Sequence, residues 1–535
     1  MIPLGRESAA MSSAEIVNAA ADQRRGQSNT PRIDTVGIMT ADRPALLERA
    51  LTSYIQNNRE RNDTEYIVYD DSKSPTASAA TLAVGEKLAG QFRVPIRFAG
   101  RQERERYARQ LGDAGAIPAE ILDYALLNPA GYTLGQNRNT LLLDNVGSMI
   151  CCVDDDTICT PIQPSDAAAQ LRLASGGDPA EYWCYRDRSE VERLIALEAP
   201  LNALAAHERL LGKNVAELSS SPSADLAQVG RSAAELMRRT EQRDSLVRVT
   251  FNGLLGDCAW GSPFGLWHEP MGYLALAGRS LERLTRTAAS YQQALQSRQL
   301  LRVTTGPYLT DASFSMLTFC GLDNRELLPP NLPTHRGQDL IFGQILWTCF
   351  TDSLFGHLPF ALVHDPLPPR KFWPGEITRS AAGVDLCRLM IEAIKLAPAA
   401  SPGASSIERL GHLGTHLIQL AKLPPPMLGK KLMTALGASN REFKDAVMRR
   451  GTALTTAAPD YTSDVTRFFD KQKQAENNEN YWIPLDLCGV DGFAAAESRL
   501  RQALESYGAV LGHWPSIVRA ARSLREEKIR ISVAL

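Results

Sequence analysis

The chain has 535 residues, 44% hydrophobic and 22% charged, which is enough for about three domains at ~150 residues each. Its 58 basic and 60 acidic residues give a net charge of −2. This balance argues against nucleic acid as a partner, because a polyanion-binding surface needs an excess of positive charge. We expect no secretory signal and no transmembrane segment, because no stretch of ~18 uncharged apolar residues occurs. Nine cysteines without a CxxC pair indicate reduced core residues in a cytoplasmic protein.

Strand and helix patterns alternate after a polar N-terminal segment, residues 1–30, which we expect to be loosely ordered. The predicted buried strands are Ile33–Thr40, Glu65–Ser72, Val94–Gly100 and the segment SMICCVDDD, 148–156. A helix with an apolar face follows Pro44, and a shorter helix covers Gly135–Gly147. This alternation predicts an α/β fold with a mainly parallel sheet flanked by helices.

The rest of the chain divides by composition. A stretch rich in Ala, Leu, Arg and Glu predicts a helical insertion. Patterns typical of strands and glycine turns follow it. The final ~150 residues are amphipathic and contain almost no strand patterns. The predicted units after the N-terminal segment are 31–164, the helical insertion 165–245, a second half of the α/β domain at 246–375, and a C-terminal helical domain at 376–535.

Polar side chains collect at the predicted strand ends. Thr40 ends the first strand, Asp70 and Asp71 end the second, and Asp154–Asp156 end the fourth. Ligands of open α/β sheets bind beyond the carboxyl ends of the strands, so these groups should share one rim. Adjacent carboxylates there suit Mg²⁺ or Mn²⁺, whose charge would remove their mutual repulsion. The alternative is an exposed, solvated acidic cap.

Four stretches, VGIMTADRP, YIVYDDS, GQNRN and ICCVDDDT, resemble in order the landmarks of GT-A-fold glycosyltransferases of the family 2 type. The resemblance covers residues 33–160 well and 300–370 more loosely. It implies a metal-dependent hexosyltransferase that moves a sugar from a nucleotide-diphosphate donor to a glycan, lipid-linked or protein acceptor.

By this resemblance, Thr40 and Arg43 line the nucleotide pocket together with Asp71. Asp70 accepts a hydrogen bond from the base, and Arg138 contacts base or phosphate. Asp156 is the first choice of metal ligand. Asp154 could join it as a ligand, and Asp154 or Asp155 could bridge to the ribose or to metal-bound water. The sequence leaves the assignment among the three aspartates open.

The loop VHDPLPPRK adds cationic candidates. His364 is expected as a further metal ligand, because GT-A enzymes often place a histidine on a late loop. Arg370 and Lys371 are spaced to reach the diphosphate, where a cation stabilises the charge of the leaving group. The alternatives are a capped core histidine and a solvated basic pair.

An inverting enzyme needs a base near the acceptor hydroxyl. Asp339 in RGQDLIFG lies at a predicted helix start, where family 2 enzymes often carry such an aspartate, although Gln338 stands where the family commonly has Glu. Its alternative role is a helix N-cap. Asp311 is a second candidate base, with a turn aspartate as its alternative.

Aromatic residues supply candidates for the acceptor site. Trp260 and Trp267 could stack on a sugar, or could pack in the core. His412 and His416 lie four residues apart without the glutamate of HExxH, which favours surface or packing histidines. The C-terminal helices could support a homo-oligomer. The competing functions are a sugar-phosphate nucleotidyltransferase, disfavoured by the glycine-free loop TADRP, and a non-catalytic nucleotide-binding scaffold.

Overall fold

The structure, a computed structural model, describes residues 32–61, 63–127, 133–164, 167–175, 178–218, 223–224, 233–242, 245–266, 270–311, 315–372, 376–451 and 458–535. Its first strand, β1, covers Ile33–Thr40, and every residue of β1 except Asp34 is buried. Helix α1, Pro44–Asn57, starts at a proline, whose fixed φ suits a first turn. The buried side chains of α1 are Leu46, Leu47, Ala50, Leu51, Tyr54 and Ile55. The predicted strand and apolar helix face are confirmed.

The rest of the first half alternates as predicted. Its elements are β2 Glu65–Asp70, α2 Pro75–Phe92, β3 Ile96–Ala99, α3 Arg101–Gly115, α4 Ala119–Leu126, α5 Leu134–Asp144, β4 Met149–Asp154 and β5 Thr157–Ile162. Strand β4 is buried up to its last residue. A central position in the sheet explains why this strand is apolar on both faces.

The segment 165–245 is helical only in part, contrary to the prediction of a helical insertion. Its elements are β6 Arg172–Ala174, β7 Glu181–Cys184, α6 Arg188–Ile195, α7 Ala203–Glu208, α8 Val215–Leu218, β8 Ser223–Ala224 and α9 Ala233–Glu241. The three short strands lengthen the sheet through pairing with other strands or with each other. Pairing with a neighbouring strand overrides the helix-favouring composition, because strand formation depends more on context than on intrinsic propensity.

The second half returns to strands and then becomes helical. Its elements are β9 Leu246–Asp257, β10 Phe264–Leu266, β11 Pro270–Gly272, α10 Gly278–Leu284, α11 Ala288–Gln296, β12 Gln299–Val303, β13 Tyr308–Thr310, β14 Phe319–Asp323, α12 Gln338–Cys349, β15 Ser353–His364, α13 Leu386–Lys395, α14 Ser406–Ala421, α15 Pro425–Gly451, α16 Pro459–Glu476, α17 Gly492–Glu526 and β16 Val533–Ala534. The C-terminal region is therefore helical, as predicted, apart from the two-residue strand β16.

Most of the strands form one mixed sheet, whose main path runs in the order β16-β3-β2-β1-β4-β14-β9-β15-β13-β6-β8. Strands β3, β2, β1 and β4 are mutually parallel. Strand β14 runs antiparallel between β4 and β9, and β15 lies parallel to β9. The predicted parallel arrangement is confirmed for the first half, and the second half is mixed.

The C-terminal helices pack on the helices that cover the first half of the sheet. Tyr507 on α17 donates to the Pro330 carbonyl at 2.9 Å, and Trp514 donates to the Leu328 carbonyl at 2.7 Å. Helix α14 crosses α17 so closely that a Cβ on Gly414 would lie 2.4 Å from the Gly508 carbonyl oxygen. Residues 33–535 form one compact unit. None of the helices within the described ranges has the length and apolar character that a membrane crossing requires.

A buried histidine gives the fold a measurable pH dependence. His207 on α7 contacts Thr250 Oγ1 at 2.7 Å and Asn252 Oδ1 at 3.1 Å through its two ring nitrogens. Burial lowers the pKa of His207 to about 4. The unfolded chain takes up this proton near pH 6.5 and the folded chain does not, so stability falls as the pH drops through that interval.

We expect His207→Gln to weaken this pH dependence, because glutamine can keep polar contacts but does not titrate. Between pH 7 and pH 5 the wild type should lose about 2 kcal/mol more unfolding free energy than the variant. Urea denaturation at both pH values measures the difference. An equal loss in the two proteins would contradict a neutral buried His207.

Candidate functional site

Strand pairing places the polar ends of β1, β2 and β4 side by side at one edge of the sheet. In the parallel pair β1–β2, Thr40 lies opposite Asp70. In the parallel pair β1–β4, Met39 lies opposite Asp154. The turn that follows β4 therefore lies next to the end of β1. The structure brings together the strand ends that the sequence predicted would share one rim.

The middle aspartate of the turn, Asp155, points into the protein. Thr40 Oγ1 donates to Asp155 Oδ2 at 2.6 Å, and the Asp155 amide donates to the Met39 carbonyl at 3.1 Å. Arg43 lies 2.7 Å from Asp155 Oδ1. Burial raises the pKa of Asp155 to about 8, although Arg43 acts in the opposite direction. Asp155 is thus attached to β1 and α1 rather than directed at the opening of the site.

The first aspartate, Asp154, pairs with a buried arginine. Arg138 on α5 donates to both carboxylate oxygens, at 3.2 and 3.4 Å, and its side chain is only 3% exposed. Burial raises the pKa of Asp154 to about 6, with Arg138 opposing the shift. Arg138 Nε and Nη1 have no acceptor in the described ranges. The structure thus places Arg138 beneath Asp154, where it compensates the charge of a buried acid.

The third aspartate, Asp156, faces His364 at 3.5 Å, measured from Oδ1 to Nε2. Strand β15 pairs with β5, with His364 opposite Thr157, so the histidine lies beside the turn. His364 Nδ1 contacts the Asp257 carbonyl oxygen at 2.6 Å, and a carbonyl can only accept, so Nδ1 carries the proton. Burial raises the pKa of Asp156, but the opposing charges of His364 and Arg43 outweigh it and leave this pKa below its usual range.

The sequence analysis missed a fourth acid, Asp257, at the end of β9. Arg298 donates to its carboxylate at 2.9 and 3.2 Å, and Arg370 donates at 3.2 and 2.7 Å. The carboxylate also accepts the Ala259 amide at 2.9 Å. Asp257 ends a buried strand as Asp154 does, so the strand-end rule could have found it. The glycines around it drew attention to turns instead.

The acids after β2 are held by local partners. Asp70 is buried and accepts hydrogen bonds from the Ser72 amide at 3.1 Å and the Ser72 hydroxyl at 2.6 Å. Asp71 pairs with Arg104 at 2.8 Å and also accepts a hydrogen bond from Thr133. Burial raises the pKa of Asp71. Asp70 therefore lies at the rim of β1 and β2, and Asp71 connects this rim to α3.

Asp339 lies in the first turn of α12 and interacts electrostatically with Arg138. The helix N-cap is Gly337, so Asp339 is not the cap residue. Its Oδ1 accepts the Leu340 amide at 3.0 Å. Burial raises the pKa of Asp339, with Arg138 opposing the shift. Arg138 thus interacts electrostatically with this carboxyl as well as with Asp154.

Asp311 is far from the acidic turn, so its prediction as a site residue needs correction. It follows β13, in which Thr310 lies opposite Phe355 at the beginning of β15, whereas His364 ends β15. The spacing along the paired strands separates Asp311 from His364 by roughly 20 Å. Burial raises the pKa of Asp311 to about 6, and the Ser175 hydroxyl donates to its Oδ2 at 3.4 Å.

The aromatic acceptor prediction also needs correction at Trp260. This side chain is 7% exposed and packs edge-on against Tyr273, with ring centroids 5.4 Å apart, and near Tyr182 at 6.0 Å. Such burial leaves too little ring surface for a sugar. Trp267 lies outside the described residues. Lys371 is exposed next to Arg370.

The remaining histidine pair does not form a metal centre. His416 Nε2 contacts the Ala393 carbonyl at 3.1 Å, and His412 is exposed. Across the described ranges, no group of three or more His, Cys, Asp or Glu side chains is arranged to hold a metal ion. A divalent ion at the acidic turn would therefore have to complete its coordination with ligands other than a third side chain of these types.

No protein-family model matches the chain, and no curated protein or solved structure is significantly similar to it. The geometry defines an acidic rim on an α/β sheet, which consists of Asp154, Asp155, Asp156 and Asp257 together with His364 and the paired arginines.

The two arginines on Asp257 should contribute unequally to stability. The Arg298 side chain is 6% exposed and also lies over the Phe372 ring at 4.9 Å, whereas the Arg370 side chain is 40% exposed. We expect Arg298→Ala to lower the unfolding free energy by about 3 kcal/mol, because it leaves a buried charge without its main partner. Arg370→Ala should cost less than about 1 kcal/mol, since water screens an exposed pair.

Urea denaturation of both variants measures these costs. Arg302→Ala is the matched control, because Arg302 is also 6% exposed and pairs at 2.6 Å with a different acid, Asp178, whose side chain is 15% exposed. Its cost should be close to that of Arg298→Ala. Equal costs for Arg298→Ala and Arg370→Ala would show that burial does not distinguish the two arginines.

Proposed function

We propose that the chain is a metal-dependent glycosyltransferase that transfers a sugar from a nucleotide-diphosphate donor to a hydroxyl acceptor. The observation that carries this proposal is the pairing of Asp156 with His364 beside the ends of β1, β2 and β4. Open α/β sheets bind their ligands at this edge. The resemblance of four sequence stretches to GT-A enzymes supports the same conclusion.

Asp156 Oδ1 and His364 Nε2 would hold the divalent ion, Mn²⁺ or Mg²⁺. Burial lowers the pKa of His364, but the charge of Asp156 outweighs burial and raises it, which favours a proton on Nε2 as well as on Nδ1. A divalent ion would replace the Nε2 proton, while Nδ1 keeps its proton on the Asp257 carbonyl. Ions of this kind often bind through one or two protein groups and complete their coordination with water and substrate phosphates. A two-ligand site is therefore compatible with the lack of a three-ligand group in the described part of the chain. When bound, the ion would offset the charge of the diphosphate.

Two cations of the chain can assist at the diphosphate. The Arg43 and Arg370 side chains are 43% and 40% exposed, and both already contact acids of the rim. Cleavage of the bond between the sugar and the diphosphate leaves negative charge on the departing oxygen. Guanidinium groups that contact this oxygen or its neighbours lower the free energy of that charge.

Asp339 is the proposed base. The acceptor oxygen would attack the anomeric carbon, the bond from that carbon to the diphosphate would break, and Asp339 would receive the acceptor's proton. Burial raises the pKa of this carboxyl, which makes it a better proton acceptor in its ionised form. Arg138, which interacts with both Asp339 and Asp154, favours that ionised form. Attack from the side opposite the diphosphate would invert the anomeric configuration.

We expect Asp156→Ala to remove the Mn²⁺-dependent part of nucleoside diphosphate binding, a loss of about 100-fold in affinity, because one of two protein ligands is gone. His364→Ala should lose about tenfold. Titration calorimetry with uridine, guanosine, cytidine and adenosine diphosphates, with and without Mn²⁺, measures the change. Asp352→Ala is the control, since Asp352 pairs with Arg248 beside the start of β15, at the opposite end from His364.

Donor hydrolysis assays on the wild type complete this test. Release of a nucleoside diphosphate from a nucleotide sugar supports the transferase, and pyrophosphate formation from a sugar phosphate and a nucleoside triphosphate would indicate a nucleotidyltransferase. Tight nucleotide binding without either reaction would indicate a scaffold. Unchanged Mn²⁺-dependent affinity in Asp156→Ala would contradict the metal assignment.

Asp339 and Asp311 were both candidates for the base, and their different positions in the fold allow the two roles to be tested separately. Asp339→Asn should lower the rate of donor hydrolysis by about 10²- to 10⁴-fold with little change in donor affinity, because a general base acts in the transition state. Asp311→Asn, which alters a buried carboxyl at the other end of β15, should leave this rate unchanged. A loss in Asp311→Asn with normal Asp339→Asn would reverse the assignment.

A further inference from the structure

Four arginines neutralise the acids of the rim, and their exposure divides them into two pairs. Arg138 on Asp154 and Arg298 on Asp257 are 3% and 6% exposed. Arg43 and Arg370 are 43% and 40% exposed. A buried guanidinium group cannot leave its carboxylate without an uncompensated charge remaining in the core, whereas a half-exposed group can exchange its partner for water.

Arg43 contacts two acids of the turn, and one of them, Asp156, is the proposed ligand of the divalent ion. One of its amino groups lies 2.7 Å from Asp155 Oδ1, and the other lies 3.4 Å from Asp156 Oδ2. The first contact is close but badly oriented, so Asp155 Oδ1, buried within the protein, accepts no hydrogen bond from the described residues. Asp155 itself is 0% exposed. The acidic turn therefore keeps an unsatisfied oxygen beside a half-exposed cation.

A second cation on Asp156 changes the balance of charges. A divalent ion on Asp156 and His364 would replace the charge that Arg43 supplies and would repel the guanidinium group nearby. Arg138 and His364 cannot move aside, because they are buried and hydrogen-bonded. Arg43 has a path to solvent. The anion that a nucleotide ligand brings to this position is its diphosphate.

We propose that Arg43 is a displaceable counter-ion of the acidic turn, which a divalent ion releases and which then binds the diphosphate of the ligand. This inference rests on the proposed function for the identity of the ligand. It has a thermodynamic consequence of its own. The ion alone must compete with Arg43, and the diphosphate gives the released arginine a new partner, so the ion and the diphosphate bind with positive coupling.

Variants without the charge at position 43 test this coupling. Arg43→Ala removes the competitor, and Arg43→Gln removes the charge while keeping a side chain of similar length. We expect both variants to bind Mn²⁺ alone at least about fivefold more tightly than the wild type. They should bind nucleoside diphosphates about tenfold more weakly in the presence of Mn²⁺, since a phosphate contact is lost. A residue that only supports the fold would not produce opposite changes for the two ligands.

The paramagnetic resonance signal of free Mn²⁺ measures metal affinity without nucleotide and without turnover. Calorimetry measures uridine, guanosine, cytidine and adenosine diphosphates with and without Mn²⁺, and thermal melting verifies folding. Arg188→Ala is the matched control. Arg188 is 42% exposed and pairs with Asp365, the residue after His364, and Asp365 keeps a second partner in Arg49 at 2.6 Å. We expect Mn²⁺ affinity in Arg188→Ala within twofold of wild type.

The outcomes separate this inference from the proposed function. Equal or weaker Mn²⁺ binding in both Arg43 variants, or no Mn²⁺ binding in any of the proteins, would overturn the role of Arg43. A wild type that hydrolyses no nucleotide sugar, together with tighter Mn²⁺ binding in the Arg43 variants, would overturn the transferase and leave the displaceable counter-ion in place. Tighter Mn²⁺ binding in Arg188→Ala as well would show that loss of any nearby positive charge increases Mn²⁺ affinity. That result would overturn the inference.

Discussion

The parallel pairing of β1 with β2 on one side and β4 on the other is the constraint on which the site depends. It sets Thr40 opposite Asp70 and Met39 opposite Asp154, so the turn after β4 has to lie against the end of β1. The hydrogen bond from Thr40 to Asp155 follows from that position. A slip of one residue in either pair would turn these side chains to the other face of the sheet and disperse the cluster.

Three neighbouring carboxylates can coexist in this turn because each has a different environment. Burial raises the pKa of Asp154 to about 6 and that of Asp155 to about 8, whereas the charges around Asp156 hold its pKa below the usual range. Asp156 is therefore the member of the trio whose surrounding charges favour the ionised form. This difference is consistent with Asp156 as the proposed metal ligand and with a positional role for Asp155 at β1.

The sequence was sufficient for the predicted strands and helices of the first half and for their strand ends, because hydrophobic periodicity and the carboxyl-end rule depend on local patterns. It was not sufficient for the segment 165–245, where pairing with other strands overrides composition. It could not assign the three aspartates, since the direction of each side chain depends on Thr40, Arg138 and His364, which are distant in sequence. Asp257 also ends a buried strand, but the glycines around it indicated turns, and three of its partners, Arg298, Arg370 and His364, are distant in sequence. The prediction of Trp260 as an acceptor residue was wrong because an aromatic residue among glycines suggests an exposed loop. Its burial depends on Tyr182 and Tyr273, which the local sequence pattern does not show.

The histidine reaches the acidic turn because the second half of the sheet continues the first. His364 lies between Thr157 of β5 and Gly256 of β9 in the paired strands. Gly256 has a φ of +117°, and a Cβ there would lie 2.4 Å from the His364 carbonyl oxygen, so a side chain would prevent this approach. The pairing at Gly256 also brings the Asp257 carbonyl to His364 Nδ1. A glycine without any chemistry of its own thus allows the contact that leaves Nε2 facing Asp156.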